Sequence, residues 1–299
     1  MSPFSAGTWL TEESLAEVRG RPAFRAACEM TARGAIDHFA GLSPHHQWVT
    51  KDLGRGSITF TALILHLTDD FTVHNLTGAC VAGGVSSAGR VIQLVRRSQD
   101  AGELTIEDGP GMWTRRRARL GPGFIDAARA RLAVDLEAAL LLAPELDGVR
   151  AILADETSYL SFAVAMATII STRRDLFALN SRPPLNLFLN REAGVFLLYE
   201  LTMAQDADRA RLLEEAPISR NALSRRYGVS RAHINKMLVD SGHTRALGDR
   251  VVFTPELSAA LERHTALIFK LIHVVSACLL DGWRVGRAPA ELAAVASRR

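Results

Sequence analysis

Between positions 226 and 236 the chain gathers Arg226, Ser230, Arg231, His233, Asn235 and Lys236. A guanidinium donates two parallel hydrogen bonds, and a carboxamide donates and accepts at once. Those patterns match the major-groove edges of guanine and adenine, so Arg231 and Asn235 are candidate base readers. Lys236 and Arg226 suit phosphate. At helical spacing the polar set falls on one face, and Ile234, Met237 and Leu238 fall on the other.

Such a set works only if local structure holds it. Ser219 is predicted to cap a helix reaching Tyr227, with Gly228 supplying a left-handed turn that a Cβ resists. Ser230 then caps the polar helix, while Leu223, Tyr227 and Val229 complete a small core. A hairpin follows, with Thr244 to Leu247, a Gly248-Asp249 turn and Arg250 to Phe253, adding Arg245 and Arg250 as candidate contacts.

A looser copy lies about 140 residues upstream. Thr72 is predicted to cap a helix ending at Val81 or Ala82, Gly83-Gly84 breaks it, and Ser86 or Ser87 opens the next. Val91, Leu94 and Val95 turn inward there, leaving Ser87, Arg90, Gln93 and Arg97 outward. Gly89 inside this helix costs about 1 kcal/mol relative to Ala. The hairpin after it runs from Leu104 to Glu107, turns at 108–111, and returns from Met112 to Arg119. That return strand is expected to carry Arg115, Arg116, Arg117 and Arg119, the densest positive charge in the chain. Arginine is drawn to phosphate and to the narrow minor groove.

The upstream flanks repeat as well. Asp37-His38-Phe39-Ala40 parallels Asp175-Leu176-Phe177-Ala178, and Thr50-Lys51-Asp52 parallels Asn190-Arg191-Glu192. Thr50 and Asn190 are read as caps of helices 51–67 and 191–204. The second copy inserts residues 204–216, expected to be helical. Helices 22–42, 123–143, 151–179 and 256–281 are expected to form a central bundle, the apolar run Phe162 to Ile170 marking one as buried all round. Residues 1–20 and 285–299 are read as tails.

Composition bounds the function. The chain has 299 residues, 48% hydrophobic and 22% charged, with a net charge of +3 carried almost wholly by Arg. That fits a folded protein of two domains rather than a polycation. Three scattered cysteines argue for a reducing, cytoplasmic setting, and neither a signal peptide nor a membrane span is expected. No phosphate loop, nucleophile elbow or zinc motif appears, so no catalytic residue, cofactor or metal site is expected. His45-His46 is read as a surface pair.

Each half thus reads helix, helix, helix-turn-helix, hairpin, long helix. Over residues 21–283 this layout resembles the winged helix-turn-helix regulators, MarR-type ones in particular. The resemblance implies a mainly α fold with small β-hairpin wings. Tandem winged units, 21–146 and 147–284, would be joined by a long-helix bundle in a pseudo-two-fold arrangement. It implies a transcription regulator of double-stranded DNA, acting as a monomeric pseudo-dimer or a homodimer. It also implies a small-molecule effector between bundle and winged units, with Trp48, His66, Met166 and Tyr199 as candidate lining. The alternative is a protein-interaction adaptor that reuses the winged domains without reading bases.

Overall fold

A computed structural model describes residues 9–172, 176, 184–205 and 211–283. The chain is mainly helical with two small antiparallel sheets. The elements are α1 (Glu12–Arg19), α2 (Phe24–Gly41), α3 (Pro44–Thr50), α4 (Leu53–Leu67), α5 (Val73–Ala82), α6 (Ala88–Asp100), β1 (Leu104–Ile106) and β2 (Ala118–Leu120). Then come α7 (Pro122–Leu142), α8 (Val149–Leu153), α9 (Glu156–Thr172), α10 (Asn186–Leu189) and α11 (Gly194–Met203). The chain continues through β3 (Glu215–Pro217), α12 (Arg220–Tyr227), α13 (Arg231–Asp240), β4 (Thr244–Leu247), β5 (Arg250–Phe253) and α14 (Pro255–Leu280).

One sheet has three strands and the other two. β3 pairs with β5 and β5 with β4, so the strand ahead of the α12–α13 pair lies beside the second hairpin strand. In the first half Thr72 bridges Arg117, the Ala118 N–H donates to the Phe71 carbonyl at 2.8 Å, and β1 pairs with β2. Both hairpins then feed a long helix that opens on a proline, Pro122 or Pro255, at a position where the missing N–H leaves no bond unmade.

Two apolar cores organise the chain. One joins Ile58, Leu63, Phe71, Leu76, Val91, Leu94, Leu104, Leu120 and Phe124 within the first half. The larger joins α1, α2, the end of α7, α9, α11 and the α12–α13 pair with α14. Phe39, Phe196 and Tyr227 knit α2, α11 and α12, with ring centroids 4.6–5.3 Å apart. α14 is long and apolar enough to cross a membrane by length and composition. Its Leu267, Leu271 and Val275 are nonetheless buried, and it packs on α1, α7, α8 and α9.

Several expectations need correction. Residues 12–19 are a helix, not a tail, because Leu15 and Val18 bury against α14. Thr50 ends α3, and Asp52 caps α4 instead, accepting the Arg55 N–H at 2.8 Å. Asn190 follows α10, and α11 opens after a left-handed Ala193 with no side-chain cap. The 151–179 helix is broken near Asp155, whose carboxylate accepts the Ser158 N–H and starts α9. Residues 215–217 are strand rather than helix, since β5 supplies the partner that a local reading cannot see. Positions 206–210, the repeat at 175 and 177–178, and the 285–299 tail lie outside the described residues.

Candidate nucleic-acid interface

The α12–α13 pair is built as its residues predict. Gly228 holds φ +61° and ψ 35°, the left-handed conformation that ends α12. The Ser230 hydroxyl accepts the His233 N–H at 3.0 Å, and Ser219 accepts the Ala222 N–H at 3.3 Å. Leu223, Tyr227, Val229, Ile234, Met237 and Leu238 are buried between the helices. This fixes which face of α13 meets solvent, leaving Ser230, Arg231, Asn235 and Lys236 exposed. Arg231 and Asn235 line an open cleft with Ser219, Arg220, Asn221 and Ala232, and Arg231 Nη1 donates to Asn221 Oδ1 at 3.3 Å. Lys236 pairs with Asp240 at 2.9 Å. An exposed pair of that kind is worth about 0–1 kcal/mol and yields readily to a phosphate.

Two expected contacts in this half are already engaged within the fold. His233 is half-buried, with Nε2 at 2.9 Å from the Glu192 carbonyl, and so holds α13 against the start of α11. Arg226 pairs with Glu200, which also accepts the Tyr227 hydroxyl at 2.6 Å. The Glu200 hydrogen bond and charge raise the Arg226 pKa further above its ordinary value. Arg226 therefore ties α12 to α11. On the hairpin Arg245 is exposed, whereas Arg250 is half-buried and bonds Glu215 at 2.5 Å across β5 and β3.

The first half exposes Ser87, Arg90, Gln93 and Arg97 on α6, as the periodicity predicts. Their partners change the reading. Arg90 is held by Asp52 at 2.5 Å, and the Arg97 guanidinium lies 4.0 Å from the centre of the Trp48 ring. Ser87 stands at the cap position of α6 without a side-chain capping bond. Arg96, not singled out from sequence, is exposed on the same surface and lies 5.9 Å over Trp113.

The arginine-rich return strand is shorter than expected. β2 begins at Ala118, and Arg115 ends a 3-10 turn at Trp113–Arg115. Among these arginines only Arg119 lies in β2, where it pairs with Glu107 at 2.9 Å. Arg117 pairs with Asp69, and Arg116 is half-buried with a donor on the Gly111 carbonyl at 3.2 Å. Arg115 is exposed and has no carboxylate partner among the described residues. Among the described residues Arg115 and Arg116 thus have no carboxylate partner, and of the two only Arg115 is exposed.

Two further expectations fail. His46 is buried, 3.4 Å from Glu103 and edge-on to Phe124, while His45 meets the Ser98 hydroxyl at 3.2 Å. Burial, with the charges of His46 and Arg97, lowers the His45 pKa to about 4. The four effector-lining candidates do not converge either. Trp48 lies under Arg97 and Arg55, and His66 Nδ1 accepts the Leu120 N–H at 3.4 Å. Met166 and Tyr199 pack against the other core. Among the described residues no group of His, Cys, Asp and Glu is placed to hold a metal ion.

The largest omission from the sequence reading is the junction between the halves. Lys51 Nζ donates to the Tyr227 carbonyl at 3.1 Å and lies 3.4 Å from Glu192, while Arg55 bonds Glu192 at 2.8 Å. The Ala193 N–H donates to the Lys51 carbonyl at 2.6 Å. Burial alone would raise the Glu192 carboxyl, but Arg55 and Lys51 outweigh it and hold it below the usual carboxylate range. The matching basic-acidic pairs Lys51-Asp52 and Arg191-Glu192 were the signal available in the sequence.

Comparison of the chain with protein-family models, curated proteins and solved structures finds no match.

Proposed function

We propose that the chain is a sequence-specific binder of double-stranded DNA and a cytoplasmic transcription regulator. In this reading it is a fused pseudo-dimer of tandem winged helix-turn-helix units. The observation that carries it is α13, where Arg231 and Asn235 stand exposed one helical turn apart. Behind them are a left-handed glycine turn and a serine cap, and beyond them a hairpin bearing exposed Arg245. A helix so presented fits the major groove, with its first residues at base edges. The repeated order of helix pair, hairpin and long helix supports two such units, with the isolated Thr72–Arg117 bridge standing where the second half has β3.

The units are unequal. α13 is the reader, because Asn235 is exposed on its polar face, Arg231 is exposed and held by a 3.3 Å bond to the neutral Asn221, and Lys236 by an exposed ion pair. α6 is chiefly an anchor, with Arg90 and Arg97 turned to Asp52 and Trp48 and with Gln93, Arg96 and Arg115 free to touch the duplex. Selection from random duplex DNA should yield a preferred site. Combining Arg231→Ala with Asn235→Ala should lower affinity for it by about a hundredfold and flatten the preference, since each good base contact discriminates by about 1–3 kcal/mol. Unchanged affinity and preference would overturn the assignment.

One observation favours the adaptor reading. Val239 on α13 and Leu247 on β4 are 74% and 53% exposed, two large apolar side chains left open to solvent on the helix and hairpin of this half. Protein capture that depends on Val239 and Leu247, together with no selectable DNA site, would move the conclusion there.

A further inference from the structure

Arg55 is the least expected charge in the molecule. It is 9% exposed, sits 4.3 Å over Trp48, and lies 2.8 Å from Glu192 and 3.8 Å from Asp52. Each of those acidic residues also holds the third residue of one of the two helices, α6 or α13. The Asp52 carboxylate takes Arg90, three positions after Ser87, and the Glu192 carbonyl takes His233, three positions after Ser230. The chain of contacts therefore runs from α6 through Asp52, Arg55 and Glu192 to α13. Beside it the backbone is strained. Ala193 has φ +61°, a region a residue with Cβ rarely adopts, while its N–H donates to the Lys51 carbonyl in the other half. Gly194 follows, where a Cβ would collide with the Phe188 carbonyl. Strain of this kind persists only where surrounding contacts over-determine it.

We propose that the Lys51–Arg55–Glu192 junction sets the separation of α6 and α13, and so determines the spacing between the two parts of the DNA site that the protein accepts. Arg55 and Glu192 are positioning residues here and touch no base. Two units joined only by a helical bundle can rock against one another. A charged junction next to the helices themselves fixes their distance where the duplex senses it. This inference rests on the DNA-binding reading, but its physical content can be measured without DNA.

The test uses the full chain with Arg55→Met combined with Glu192→Gln, which removes both charges so that neither is left buried alone. Spin labels go on Gln99→Cys in α6 and Val239→Cys in α13, both exposed, in a Cys278→Ser background. The free parent protein should give one narrow interlabel distance, and the double substitution should broaden it at least twofold. On duplexes carrying the selected site with its halves moved apart or together by one to three base pairs, the parent should lose about tenfold or more at the wrong spacing. The substituted protein should discriminate less than threefold while keeping its affinity for the best half. An unchanged distance distribution, or a broadened one with the spacing preference intact, overturns the proposal. Failure of every duplex to bind the parent would sink the DNA reading instead, and the label distances would still decide whether the junction holds the helices.

Discussion

Arg115, Arg117 and Arg119 stand within five residues, yet only one is ready to meet an anion. Arg117 and Arg119 are occupied by Asp69 and Glu107, and Arg115 is exposed without an acidic partner. Each phosphate neutralised contributes about 0.9 to the slope of log affinity against log salt. Arg115→Ala should therefore flatten that slope by about one, and adding Arg116→Ala and Arg117→Ala should change it far less than threefold. A titration of binding against salt concentration measures this directly, and an unchanged slope in Arg115→Ala would remove the first hairpin from the interface. Which arginines exist, and that α6 turns Arg90 and Arg97 outward, is legible from periodicity. Which are already held is not, because Asp52, Asp69 and Trp48 reach them only through the fold. Ser230 is a residue whose role needs no fold to predict. Ser230→Ala should cost about 1 kcal/mol of stability through loss of the cap, read from the urea midpoint.

At the scale of elements, α12, α13 and the β4–β5 hairpin follow the sequence within a residue or so, because caps, a glycine turn and apolar spacing all act locally. β3 and the Thr72 bridge were invisible for the opposite reason. Each is a short edge that exists only because a later hairpin strand satisfies its backbone. The α8–α9 break falls at the polar run Asp155-Glu156-Thr157-Ser158, where the acidic cap was the local signal for it. Packing between elements yields its own prediction. Phe196 is 3% exposed and touches both Phe39 and Tyr227, so Phe196→Ala should cost about 3–5 kcal/mol and loosen α12 from α2. Chemical denaturation measures the loss, and a cost below about 1 kcal/mol would mean the aromatic cluster does not hold α12 to the bundle.

For the whole molecule, acidity offers the broadest test. Burial holds His38, His45, His66 and His273 below their ordinary pKa of 6.5, His45 at about 4, with neighbouring cationic groups adding to the shift. The folded chain therefore binds fewer protons than the unfolded chain as pH falls below 6.5. Stability should be full above that value and decline toward pH 4, and His45→Gln should lessen the decline. Calorimetric melting across that range checks both, and a melting temperature flat from pH 7 to 4 would contradict the burial of these rings. By itself the sequence determined the exposed polar face of α13, its turn and cap, the second hairpin and the long helices α2, α7 and α14, since each depends on residues a few positions apart. Tertiary structure alone decided that the first half has its own core while the second is continuous with the bundle. It also decided that most of the candidate contact arginines are occupied, Arg90, Arg117, Arg119, Arg226 and Arg250 by carboxylates and Arg97 by Trp48, and that Lys51 and Arg55 meet Glu192 across the two halves. Those partners lie far apart along the chain, and no local pattern ranks one distant pairing of opposite charges above another.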